Sequence, residues 1–64
     1  MIRIVGRETR TLESAEFHTV GEAFEKIGLS PQGYVPLING NPCTSDRVIG
    51  EYDELVFIEV FSGG

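Results

Sequence analysis

Three places in this 64-residue chain hold residue types that could do chemistry: Gly63-Gly64 after Phe61-Ser62, the single Cys43 and the single His18. An apolar stretch running into two glycines makes a strip of backbone without side chains, able to enter a narrow tunnel and present an α-carboxylate. That carboxylate, with an ordinary pKa of about 3.3–3.7, is ionised near neutral pH and is a poor electrophile until activated. The bland alternative is a frayed terminus, the usual state of chain ends that nothing ties down. Cys43 has no second thiol within a metal-ligand spacing, and His18 stands alone before a helix cap, so no metal site is expected. Cys43 reads as a small strand residue. Gly6, Gly21 and Gly28 read as turn, helix-entry and helix-exit residues rather than as a phosphate-binding loop.

The elements that must position the tail follow from the pattern of the chain. Met1 to Val5 alternates as a strand with Ile2 and Ile4 inward, Gly6-Arg7-Glu8 supplies a turn, and Thr9 to Glu13 returns as a second strand. Thr19-Val20-Gly21-Glu22 is a capping box that opens a helix. Val20, Ala23, Phe24 and Ile27 form its apolar stripe, and Glu22 and Lys26 an i,i+4 pair on the wet side. Gly28 suits the left-handed exit position, Leu29 is placed to touch Phe24, and Pro31 blocks continuation.

Tyr34 to Ile38 reads as a strand in which Pro36 argues for an edge or a bulge. Asn39-Gly40 is a two-residue hairpin signal, Asn41 to Thr44 a short strand interrupted by Pro42, and Ser45 to Ile49 a capped turn. Glu54 to Phe61 is apolar on both parities except at Glu59, the pattern of a central strand. One helix covers one face of a sheet. Either Leu55 with Phe57, or Val56 with Ile58 and Val60, is therefore left near solvent unless a partner covers it. The acidic set Glu13, Glu16, Glu22 and Glu25 reads as a solvated face.

Size and charge narrow the function classes. A chain this short makes one domain, residues 1–64, with 61–64 as a flexible Gly-Gly tail and no room for a separate catalytic domain. Ten acidic against five basic residues give a net charge of −5, which repels phosphate backbones and anionic lipid headgroups, so neither nucleic acid nor a membrane is an expected partner. No basic stretch and apolar run follows Met1, and the longest apolar run, Leu55 to Ile58, is too short to span a bilayer. With one unpaired cysteine, a soluble cytoplasmic protein is expected.

The order strand, strand, helix, short Asn-Gly hairpin, long last strand is that of an α+β, β-grasp (ubiquitin-like) fold: a mixed sheet of four to five strands with one helix packed across one face. The helix ending Ile27-Gly28-Leu29, the run Leu37-Ile38-Asn39-Gly40, the opening Asp53-Glu54-Leu55-Val56-Phe57-Ile58 and the ending Ser62-Gly63-Gly64 carry a resemblance over the whole chain. The sequence resembles the ThiS/MoaD family of ubiquitin-like sulfur carrier proteins and the small archaeal ubiquitin-like modifiers close to them. It departs from that pattern at Tyr52, where relatives often carry glycine, and at Pro36 and Pro42.

The resemblance implies a protein co-substrate, not an enzyme. Gly64 is adenylated by a ubiquitin-activating-type enzyme that uses ATP and Mg²⁺. Sulfur from a persulfide or sulfide then displaces AMP to give a thiocarboxylate, which an acceptor synthase consumes in making the thiazole of thiamine or the dithiolene of molybdopterin. No cofactor is bound by the carrier itself. Phe61, Ser62 and Gly63 enter the partner's tunnel, and Val56, Ile58 and Val60 form the partner-facing patch because relatives bury the positions of Leu55 and Phe57. Parity alone selects the opposite set, since Glu59 interrupts the Leu55 series. A modifier joined through Gly64 to lysines of other proteins, or an interaction module whose glycines are incidental, are the competing readings.

Overall fold

The computed structural model describes residues 1–7, 9–12 and 17–60; the tail Phe61, Ser62, Gly63 and Gly64 lies outside them, as do Glu8, Glu13 and Glu16. The helix α1, Val20–Ile27, is bounded as its ends dictate. The Thr19 hydroxyl accepts the Glu22 N–H at 3.2 Å, while the Glu22 carboxylate is drawn to Lys26 at 3.2 Å. At the other end Gly28 takes φ 88°, a left-handed value that glycine reaches without a Cβ penalty. The N–H groups of Gly28 and Leu29 both donate to the Phe24 carbonyl, at 2.9 and 3.0 Å.

Five strands accompany the helix: β1 Ile2–Val5, β2 Arg10–Leu12, β3 Tyr34–Ile38, β4 Asn41–Pro42 and β5 Leu55–Glu59. The returning strand begins after the expected Thr9, and the last begins after Glu54 and stops before Val60, while the expected ends Glu13 and Phe61 lie outside the described residues. They form one mixed sheet in the order β2-β1-β5-β3-β4, with β5 parallel to β1 and antiparallel to β3. β5 is thus central, flanked on both sides.

Asn39 and Gly40 take φ 52° and 84°, both positive as a type I′ turn requires, and close the β3–β4 hairpin. Pro36 does not interrupt its strand, whereas β4 stops at Pro42. β3 is not an edge strand, but Pro36 turns its carbonyl toward β4, where it accepts the Cys43 N–H at 3.1 Å, so the missing Pro36 N–H faces β4 and costs nothing on the β5 side. Pro42 sits opposite Leu37, whose neighbours Ile38 and Pro36 make the bonds toward β4; its own nitrogen faces the outer edge. Two prolines thereby limit β4 to two residues.

Val20, Ala23 and Phe24 of α1 pack on Ile2, Ile4, Ile38, Leu55 and Phe57 of the sheet, and these eight residues are the core. The rings of Phe24 and Phe57 meet edge to face at 4.7 Å and 62°, a geometry that adds about 0.5–1.5 kcal/mol to the burial itself.

Candidate docking face and tail root

The register across the sheet decides which side chains share the face away from α1. Ile4 and Pro36 flank Phe57, and Ile2 and Ile38 flank Leu55, on the helix side. The opposite face therefore carries Val5, Ile58 and Val35 in one row across three strands, and Arg3, Val56 and Leu37 in the next. Leu55 and Phe57 are 1% and 0% exposed, whereas Ile58 and Val60 are 40% and 49% exposed, with Val56 half-buried. Of the two alternatives, the set Val56, Ile58 and Val60 is the one the helix leaves uncovered. Val35, 39% exposed, extends that apolar surface in a direction the sequence alone did not indicate, because its neighbour in space, Ile58, is 23 positions away along the chain.

The same strand leads to the tail. The Val60 N–H donates to the Gly33 carbonyl at 2.8 Å, tying the end of β5 to the loop before β3. On the other flank the Glu59 carboxylate accepts the backbone N–H of Arg7 at 3.0 Å. Gly6 has no room for a side chain: a Cβ there would stand 2.8 Å from the Cβ of Glu59. The tail residues Phe61, Ser62, Gly63 and Gly64 continue from this point but lie outside the described residues.

At the far end of β5 a second set of bonds holds the loop that feeds it. Asn39 Nδ2 donates to Asp53 Oδ1 at 2.9 Å, the Glu54 N–H donates to Asn39 Oδ1 at 3.0 Å, and the Gly50 N–H donates to Asp53 Oδ2 at 2.8 Å. These donors, the Gly50 N–H first and the Asn39 amide second, hold the Asp53 carboxyl below the usual aspartate range. A depressed native pKa means the stabilisation is complete above the unfolded pKa of about 3.9 and is lost as pH falls through the lower native value. Asp53→Asn is accordingly expected to be less stable than the parent at neutral pH, with the difference closing in acid. Urea unfolding at a series of pH values measures this, and a pH-independent gap would refute it.

Cys43 lies just beyond β4, half-buried, with its thiol 3.5 Å from the Pro36 carbonyl, and burial pushes its pKa up, away from nucleophilic thiolate. Next to it, Arg47 N–H donates to the Thr44 carbonyl at 3.2 Å and the Thr44 hydroxyl bonds Asp46, which gives the capped turn. The backbone of His18 accepts the Ile49 N–H at 2.9 Å. Among the described residues no group of three or more His, Cys, Asp or Glu is placed to hold a metal ion. Glu25 is exposed, as is Lys26, the one lysine of the sequence. Tyr52, at the departure from the expected glycine, is 91% exposed in the turn before Asp53.

A mixed five-stranded sheet with one helix across one face, and β5 central between β1 and β3, defines a β-grasp domain of the ubiquitin-like class. The sequence model of the ThiS family matches residues 1–64, and the protein belongs to that family. Its members are small sulfur carrier proteins of cofactor biosynthesis, which work with adenylating and sulfur-transfer partners and are not themselves catalysts. A search of curated proteins finds no match to this chain.

Proposed function

We propose that the protein carries sulfur on its own C-terminus, with Gly64 as the reacting residue. A carboxylate oxygen of Gly64 attacks the α-phosphorus of Mg·ATP in the activating enzyme, and pyrophosphate leaves. Sulfide then attacks the acyl carbon of the adenylate and AMP leaves, which gives the thiocarboxylate; when the donor is a persulfide, a second thiol cleaves the acyl disulfide first formed. The chain's own part is to dock and to deliver. The observation that carries this reading is the uncovered apolar face of Val35, Val56 and Ile58, which runs along β5 to Val60 at the root of the tail. A partner seated there receives the following four residues directly.

Gly63 and Gly64 suit the reading because a tail without Cβ atoms passes close to the partner's backbone. The acceptor synthase, serving the thiamine thiazole or the molybdopterin dithiolene, is the second partner and needs the same tail. Such chemistry belongs in the cytoplasm, where ATP is supplied. No helix of the described residues is long and apolar enough to cross a membrane.

Intact mass of the purified protein, after incubation with its host's activating enzyme, Mg·ATP and a sulfide donor, tests the reading. The expected result is a gain equal to the exchange of one oxygen for sulfur, abolished in a chain ending at Ser62 and strongly reduced in Gly64→Ala, with both variants folded. An unchanged mass, with the enzyme active on another carrier, would favour an interaction module with incidental glycines. A thiocarboxylate that forms but is followed by attachment to protein lysines would favour the modifier.

A further inference from the structure

We infer that Glu59 is a positioning residue for the reaction at Gly64, acting through the point at which the chain leaves the sheet; this rests on the carrier reading above. Glu59 shares the inward parity of Leu55 and Phe57 yet carries a charge. Its place explains why it can: it stands opposite Tyr34 at the end of the β3–β5 ladder, outside the eight-residue core. At the surface its carboxylate reaches back to the turn after β1 and accepts the Arg7 N–H at 3.0 Å across 52 positions of sequence. Gly6 makes that approach possible, since a side chain there would collide with Glu59 at its Cβ and not merely at the mobile tip.

The next residue, Val60, is bonded to the Gly33 carbonyl at 2.8 Å on the opposite flank. The end of β5 is therefore held from the β1 side by a side chain and from the β3 side by a backbone bond. What is held there is the origin of the tail. Four residues reach at most about 14 Å when extended, so the position of Val60 bounds where the Gly64 carboxylate can arrive. Two glycines give the partner no side chain with which to correct a misdirected tail. Misplacement of a reacting group by about 1 Å can cost on the order of 100-fold in rate, so a swing of the strand end is passed to the chemistry.

The docking face and the tail root are separable, because Glu59 points to the side opposite Val56 and Ile58. Loss of the Glu59 contact therefore affects turnover more than binding, which a merely structural role would not do. The test is carrier-dependent ATP–pyrophosphate exchange by the activating enzyme, with KM and kcat measured below each variant's melting temperature. Glu59→Ala is expected to lower kcat about tenfold or more with KM within about twofold of the parent. Glu59→Gln, whose amide oxygen accepts the same Arg7 N–H, is expected to recover most of the rate.

Gly6→Ala supplies the same readout by pushing Glu59 away, and serves if Glu59→Ala does not fold. In the double variant the carboxylate contact is already lost and only the 2.8 Å approach of the two Cβ atoms remains, so its loss of rate should be smaller than the sum of the two single losses, a non-additivity expected of groups in contact. A Glu59→Ala carrier with parental kcat, or one with raised KM and unchanged kcat, overturns the positioning role while leaving the carrier reading intact. A parent chain that supports no exchange overturns the carrier reading, and the positioning role with it.

Discussion

Phe57→Ala is expected to lower the unfolding midpoint far more than a truncation on the opposite face of β5. Phe57 is 0% exposed, lies on the central strand, and meets Phe24 of the only helix among the described residues edge to face at 4.7 Å. Truncating a buried phenylalanine costs about 3–5 kcal/mol, including the cavity that remains. A 64-residue domain has a total stability of about 3–10 kcal/mol at the usual 0.05–0.15 kcal/mol per residue. The substitution thus removes between a third and all of what holds the fold, and no disulfide supplements it, since Cys43 is free. Val56→Ala, one position away on the half-buried opposite face, is expected to cost about 1 kcal/mol. Urea unfolding followed by far-ultraviolet circular dichroism compares the two. Similar midpoints for both variants would refute the assignment of the core to the Leu55–Phe57 side.

Ile58→Asp is expected to do the reverse, sparing the fold and damaging association. Ile58 occupies the middle of the row Val5–Ile58–Val35, and it is 40% exposed in the free protein. An aspartate there keeps much of its hydration while the chain is alone, and the cost to folding is about 1 kcal/mol, of the order of β-propensity differences on a strand. Against an apolar partner surface the same carboxylate must be stripped of water with no counter-charge supplied for it. Central, fully desolvated interface positions typically carry 2 kcal/mol or more, so the dissociation constant for the activating enzyme should rise about 30-fold or more. Calorimetric titration against that enzyme, alongside a melting curve, separates the effects. A large fall in melting temperature with unchanged affinity would show that this face does not dock.

The two faces of β5 also show how far the sequence could be read. Local signals succeeded: Thr19 and Gly28 bound α1 because the orphan groups of a helix end are met by residues only a few positions away. The Asn39-Gly40 turn is equally local, and it sets the pairing of Leu37 and Ile38 with β4. The choice of buried face on β5 was not local. Counting apolar residues along the strand favours burying Val56, Ile58 and Val60, because Glu59 spoils the other series. In three dimensions Glu59 is past the helix-covered core, and its partner is the amide of Arg7, which no spacing rule connects to it.

Pro36 misled for a related reason. A proline is a poor strand residue only on the side where its nitrogen must donate, and that side depends on which neighbour lies where. The sheet order lets Pro36 keep its place beside β5, while β4 ends at Pro42 on the sheet edge as its proline implies. As for the candidate site, Val56, Ile58 and Val60 could be named from the resemblance, but Val35 could not, since it joins them only through the β3–β5 register.

The central position of β5 has a bearing on how the protein is made and policed. Because β1 and β3 pair with β5 and not with each other, a nascent chain interrupted between Ile38 and Leu55 leaves an unpaired edge on each of them and lacks Leu55 and Phe57 beneath its helix. Such fragments cannot hide their apolar residues and are open to proteolysis, as transiently unfolded chains generally are. Folding competence therefore arrives only with the segment that precedes Gly63 and Gly64. Degradation of incomplete chains then removes the fragments that stop short of β5.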